Sequence, residues 1–314
     1  MSKNNQLILL ATALLGVLLY VILGIVGDVS ISLPETDEPS EVASDVLAAP
    51  LVSNQTELRQ FLHTKGADSD LALESYLNWL AEFGYTDFPD VLLAEGQVAN
   101  TAPLREEDDA SLLSLAGEGD TDAMQMLATR SFDRDPLDAA NWYRNAAMRG
   151  SVYAMLRLSD LMETFADPKL AEFNTDPVFA TSLQELRDAV PSFAEEALRW
   201  SIAAATVGGQ PALSDDLVAR LRRQSATLDE PTVLRVCNSS QRLVLELAAE
   251  RRTYGGLTLT TEPPAMFVSA TETIAEVIPC QGLIVPFIDT NNCNSNLIQV
   301  EQGKAATLWV CNTA

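Results

Sequence analysis

Small residues recurring at a fixed spacing restrict the fold of this chain more than any other feature of its sequence. The stretch LAGEGDTDAMQMLA at 115–128 returns as AAMRGSVYAMLRLS at 146–159, a period of 31 that places Ala116 on Ala147, Gly119 on Gly150, Ala123 on Ala154 and Leu127 on Leu158. A third copy, AATVGGQPALSDDL at 204–217, aligns Ala205, Gly208 and Ala212 with the second at an offset of 58, which also carries Trp142 onto Trp200. Small side chains at fixed places let helices approach closely, and a glycine just past a helix end takes the left-handed conformation that stops it. The bulky pair Trp142 and Tyr143, four residues before Ala146 and Ala147, then fills the space between layers. Such a unit cannot bury its apolar face alone, so the copies must stack. The expected architecture is an α/α helical-repeat solenoid, with Trp142, Tyr143 and Trp200 in its core.

The segment DPLDAANWYRNAAMRGSVYAMLRL resembles the Sel1-like repeat family, relatives of the tetratricopeptide repeat. The family pattern of a helix-starting Asp, an Ala, Trp-Tyr, Ala-Ala and a closing Gly is met by Asp138, Ala140, Trp142, Tyr143, Ala146, Ala147 and Gly150. The likeness covers about 100 residues, 112–224, and the central copy, running on to Ala154, carries it most fully. Departures are visible: Leu127-Ala128 and Leu158-Ser159 stand where the family has Leu-Gly, and the third copy has Pro211 and Asp216 at apolar places. Residues 166–191 form an insertion with a short helix expected around 179–189. The resemblance implies a protein-binding scaffold.

Residues 7–26, LILLATALLGVLLYVILGIV, hold no charge. At 1.5 Å per residue such a run spans about 30 Å, the thickness of a bilayer's hydrocarbon core, and is too long for the apolar part of a cleaved signal peptide. Residues 1–27 are therefore expected to be a single-pass membrane anchor. Lys3 and the amino terminus precede it and no further base occurs before Arg59, which puts the N-terminus in the cytoplasm and the body outside. Residues 28–54 carry six acids and no base among prolines and small residues, a composition of a disordered acidic linker. Helical periodicity begins near Gln55 and extends to 231.

From 232 to 314 the pattern changes to short apolar or alternating runs, VLRVC, RLVLELAAE, GLTLTT, EVIPC, LIVPFI, LIQVE and ATLWVC, separated by Asn, Gly and Pro. They predict a small β-rich domain and an α+β multidomain chain, although RLVLELAAERR also fits a helix. All four cysteines, Cys237, Cys280, Cys293 and Cys311, lie in this part. Their even number suits an oxidising compartment, where three connectivities are open. The likeness of VLRVCNSS to TLWVCNTA as pairing strands favours Cys237–Cys311 and Cys280–Cys293.

The formal charge of −24 is uneven: residues 28–231 hold 37 acids and 14 bases, net −23, whereas 232–314 are net −2. An acidic body of this kind disfavours nucleic acid and anionic lipid surfaces. His63 is the one histidine, so no multi-histidine metal site or H-E-x-x-H motif can be written, and it reads as an exposed helix-end residue. The acids at 106–109 read as a helix start, whose positive end they complement. DTNNCNSN at 289–296 lacks the Gly and Glu of a calcium loop and reads as a disulfide-held turn. No enzyme, cofactor or metal is expected.

The resemblance to the Sel1-like family implies a scaffold of envelope assemblies, and with the expected anchor the expectation is a bacterial inner-membrane adaptor whose body stands in the periplasm and docks protein partners through its repeats. The β-rich domain would contact a second protein or the cell wall. The alternative is a cell-wall-active or ligand-binding module whose activity resides in that domain.

Overall fold

Helix starts in this chain are set by short polar side chains that accept the first free amides. Asp108 accepts from the Ser111 amide at 2.7 Å, Asp120 from Ala123 at 2.9 Å, Asp135 from Asp138 at 3.0 Å and Ser151 from Ala154 at 3.1 Å. Asp176, Ser192 and Ser214 do the same for later helices. Each such cap stabilises its helix by about 1 kcal/mol.

The computed structural model describes residues 49–50, 55–65, 68–82, 103–167, 174, 176–209, 212–254, 265–283, 293–301 and 304–311. In order come α1 (Gln55–Thr64), α2 (Ser69–Glu82), a 3-10 turn (Pro103–Glu106), α3 (Asp109–Glu118), α4 (Thr121–Ser131), α5 (Pro136–Met148) and α6 (Val152–Phe165). They are followed by α7 (Pro177–Ala189), α8 (Phe193–Gly208), α9 (Asp215–Ser225) and α10 (Glu230–Tyr254). The chain ends with β1 (Met266–Val268), α11 (Thr271–Val277), β2 (Cys293–Glu301) and β3 (Lys304–Cys311). Residues 44–314 make one compact unit. The expected anchor at 7–26 and most of the acidic linker lie outside the described residues, among which no helix is long and apolar enough to cross a membrane.

The 31-residue period is a period of backbone geometry. Gly119 and Gly150 have φ of 104° and 101°. At the first, the Asp120 amide reaches back to the Leu115 carbonyl (3.0 Å) and the Gly119 amide to Ala116 (3.1 Å). At the second, Ser151 reaches Ala146 (3.1 Å) and Gly150 reaches Ala147 (2.9 Å). The two turns are the same left-handed helix stop followed at once by a new N-cap. The third copy departs from the expected alignment. Gly208 is still helical, and the positive φ, 65°, belongs to Gly209. A Cβ on Gly208 would lie 2.5 Å from the Ala212 Cβ, and one on Gly209 would lie 2.5 Å from the Val268 carbonyl oxygen. Here the glycine pair serves close approach, first to the following turn and then to the sheet.

Helix α8 is the axis of the unit, buried continuously from Trp200 to Gly208. Trp200, Ala203, Ala204 and Val207 face the larger core, which takes in Tyr143, Ala146, Ala147, Ala154, Leu158 and Phe165. Leu198, Ile202 and Ala205 face a second core shared with α9, α10 and α11. A helix apolar on both sides belongs between layers, and its alanine run lets α6 and α9 pack closely. Ser159 explains one departure from the family pattern. It is fully buried, its Oγ lies 2.8 Å from the Ser201 Oγ and it accepts from the Gln224 Nε2 at 2.9 Å, joining α6, α8 and α9.

The last third differs from the sequence expectation. VLRVC and RLVLELAAE are parts of the single helix α10, which runs across the expected 231/232 border. In that helix Val233, Val236, Cys237, Leu243, Val244 and Leu247 are buried, a 3.6-residue stripe that short alternating runs had masked. Most of EVIPC lies in α11 and the bend that follows it, while GLTLTT and LIVPFI lie almost wholly outside the described residues. LIQVE and ATLWVC are the strands β2 and β3. The sheet has the order β1-β3-β2, all antiparallel, with Phe267 opposite Trp309 and Cys293 opposite Cys311.

Two disulfides join the cysteines as Cys237–Cys280 and Cys293–Cys311, which replaces the expected Cys237–Cys311 and Cys280–Cys293 pairing. The reason is the helix: Cys237 lies on α10 and cannot sit opposite Cys311 in a ladder, whereas the β2–β3 register puts Cys293 there. Of the stretch 289–296, the residues from Cys293 onward are strand, so the expected turn does not include them.

Candidate functional site

The chemistry-bearing surface is built on the edge of α5 where its core face gives way to solvent. Tyr143, Ala146 and Ala147 occupy the inner face and are fully buried. Leu137, Ala140, Asn141 and Arg144 form the adjoining stripe at i, i+3, i+4 and i+7, running from the buried Ala140 to the exposed Asn141 and Arg144, and this stripe floors two adjoining clefts. The first has a volume of about 470 Å³, the second about 520 Å³, and Leu137 and Asn141 belong to both.

Helix α7, the helix of the insertion, supplies one wall. Val178, Thr181, Ser182 and Glu185 line the second cleft, and Leu186 and Ala189 continue the same stripe into the first. Ser182 fixes the wall to the floor: its hydroxyl accepts from the Leu137 amide at 2.8 Å and donates to Asp135, the carboxylate that also caps α5. Asp138 is held as well, by the Ser131 hydroxyl at 2.6 Å.

The other wall is the start of α8. Glu196 pairs with Arg199 at 3.2 Å, and Glu195 with Arg235 of α10 at 3.4 Å. Leu158 and Met162 of α6 and the indole of Trp200 form the bottom of the first cleft. Asn141, Arg144 and Glu185 are exposed and make no hydrogen bond or ion pair with another described residue. An apolar bottom with a few polar groups at the rim is the usual make-up of a binding cleft of this volume.

Of the residues singled out by the repeat pattern, Tyr143, Ala146, Ala147, Gly150, Ala154, Trp200 and Gly208 are buried and Trp142 is half-buried. Of the repeat-pattern residues, Asp138, Ala140, Leu158 and Trp200 line the clefts. The Tyr143 hydroxyl is spent on Thr129 at 3.1 Å. Beside Tyr143 and Tyr153, Arg157 is half-buried and pairs with Asp160 at 3.1 Å. Burial acts to lower its pKa, but the neighbouring Tyr143, Tyr153 and Asp160 outweigh that effect and raise it, so the guanidinium stays charged.

His63 and the acids at 106–109 take structural places. His63 is exposed in the last turn of α1. Asp108 caps α3, and Asp109 in its first turn pairs with Arg130 at 2.7 Å. No group of three or more metal-capable side chains converges among the described residues.

The cleft residues Asn141, Arg144 and Glu185 were not singled out by sequence reasoning. The signal for them was present in the exposed positions of α5 beside its core face, but the cleft's wall is an insertion that no repeat pattern describes. Neither cleft takes a residue from the sheet. No family model, curated protein or solved structure matches the chain.

Proposed function

We propose that this protein is an adaptor of a bacterial envelope assembly, anchored in the inner membrane by residues 7–26 and holding protein partners in the periplasm with a helical body of Sel1-like repeats. The observation that carries the reading is the cleft between α5, α7 and α8, which leaves an apolar floor open on a body whose repeat residues are otherwise consumed in packing. The repeated helix stops at Gly119 and Gly150 support the family likeness, and two disulfides suit an oxidising compartment. The acidic linker keeps the body near the membrane, so a partner held there meets membrane components at raised effective concentration. The role is binding, and no catalytic group is assigned.

In-cell photocrosslinking tests this. A photoreactive side chain in place of Asn141 is expected to yield discrete adducts with an envelope protein, and the same group in place of Glu118, outside the clefts, is expected to yield none. Absence of adducts from Asn141 and from every exposed position of α7 would overturn the adaptor reading.

A further inference from the structure

Resting on the adaptor reading, we infer that the α5–α7–α8 cleft takes a basic segment of a partner protein that inserts one apolar side chain. Its rim carries five carboxylates, Asp135, Asp138 and Glu185 in the open half and Glu195 and Glu196 on α8, against the guanidiniums of Arg144, Arg199 and the Arg235 that pairs with Glu195, a net charge of −2. A concave acidic lining concentrates cations, and the −23 carried by residues 28–231 adds to the attraction. The sign also removes two other occupants. The chain's own segment 28–54 brings six acids and no base, and a second copy brings another −24. A basic partner is the occupant the charge favours.

The dimensions suit a short segment. The α7 wall from Val178 to Ala189 rises about 16 Å, room for about five extended residues. Leu158, Met162, Leu186 and Trp200 close the bottom of the first cleft and can surround one apolar side chain. Glu185, uncommitted to any described residue, faces an ammonium or guanidinium in the open half, and Asn141 and Arg144 supply donors for the segment's backbone carbonyls. Because α7 belongs to the insertion between the second and third copies, the site is not a property of the stacked repeats themselves.

The test measures fluorescence anisotropy of a labelled pentapeptide, Lys-Lys-Leu-Lys-Lys, titrated with the full chain in non-ionic detergent. Saturable binding is expected, weakened about tenfold when Ser replaces the central Leu. Binding is expected to fall about tenfold in Glu185→Lys and to stay within about twofold in Glu118→Lys, the same charge change at an exposed site outside the clefts. Asn141→Trp, which fills the groove without altering charge, is expected to abolish it, with unchanged circular dichroism showing that the fold persists. Equal weakening by Glu185→Lys and Glu118→Lys, or equal affinity for Glu-Glu-Leu-Glu-Glu, would overturn the inference. Envelope adducts from a photoreactive group at an exposed position of α7 that persist in cells carrying Asn141→Trp would overturn it too while leaving the adaptor reading standing. Peptide binding at the cleft without any adduct in cells would do the reverse.

Discussion

Two glycines at positive φ show how a single Cβ is read by its surroundings. Gly282, at φ 69° with nothing within 4 Å of a Cβ, needs only the left-handed conformation, so Gly282→Ala costs about 1 kcal/mol. Gly209 combines φ 65° with a Val268 carbonyl oxygen 2.5 Å from any Cβ and a Phe267 ring carbon at 2.7 Å. Gly209→Ala therefore carries the same conformational penalty plus about 1–3 kcal/mol of displacement, and chemical denaturation should rank it below Gly282→Ala in midpoint. A second residue-scale effect is acid sensitivity. Asp108 is held below the usual carboxylate range chiefly by the Ser111 amide, and Asp229 by the hydroxyl and amide of Thr232. A depressed folded-state pKa contributes stability above the unfolded value and loses it as pH falls through the folded one, which sets the window below about pH 4. The double variant Asp108→Asn, Asp229→Asn keeps cap acceptors but cannot titrate there. Its melting temperature is expected to fall less steeply than the parent's through that window, and parallel curves would contradict the assignment.

At the scale of elements, legibility followed period. The copies at 115–128 and 146–159 share spacing, cap and glycine, and their turns superpose hydrogen bond for hydrogen bond, because every determinant lies within a few residues of the turn. The third copy misled by one residue, since the choice between Gly208 and Gly209 depends on the sheet, more than 50 residues away. Helix α10 was misread because β-branched and leucine runs such as VLRVC and RLVLEL fit a strand when cut short, while the stripe from Val233 to Leu247 is visible only over the whole 25 residues. The error carried into the cysteines, as pairing depends on which elements hold them. MFV of β1 is a strand of three residues, too short for any alternation to register, and Phe267 is held by Tyr76 from α2, 6.2 Å away edge to face. The observed pairing makes its own prediction. Cys237–Cys280 closes a 43-residue separation between α10 and the segment after α11, and Cys293–Cys311 closes 18 within one hairpin. Loop entropy assigns them about 4 and about 3 kcal/mol. Replacing Cys237 and Cys280 by Ser should lower the unfolding free energy more than replacing Cys293 and Cys311, and the reverse order would show that the hairpin bridge governs the fold.

For the whole molecule, the cross-links bear on which side of the membrane the body occupies. Both cysteines of the first pair are buried, at 4% and 1% exposure, so their inertness to an alkylating reagent in the folded state would say nothing about redox state. Denaturation before labelling removes that ambiguity: a disulfide still resists, and a buried thiol reacts. If the N-terminus is cytoplasmic and the body periplasmic, chain taken from intact cells, trapped in acid, denatured and treated with maleimide should gain no label until reductant is added, and four labels afterwards. The acidic linker gives a parallel expectation, because protease added to spheroplasts should cut within 28–54 and release a soluble body that the cytoplasmic side would have protected. The two readouts fail differently. Complete labelling without reductant would place the body in a reducing compartment and remove the envelope from the proposal, whereas resistance to labelling with no release would keep the compartment and deny the tether. Both must come out as expected for residues 7–26 to act as an anchor that presents the cleft to partners outside the cytoplasm.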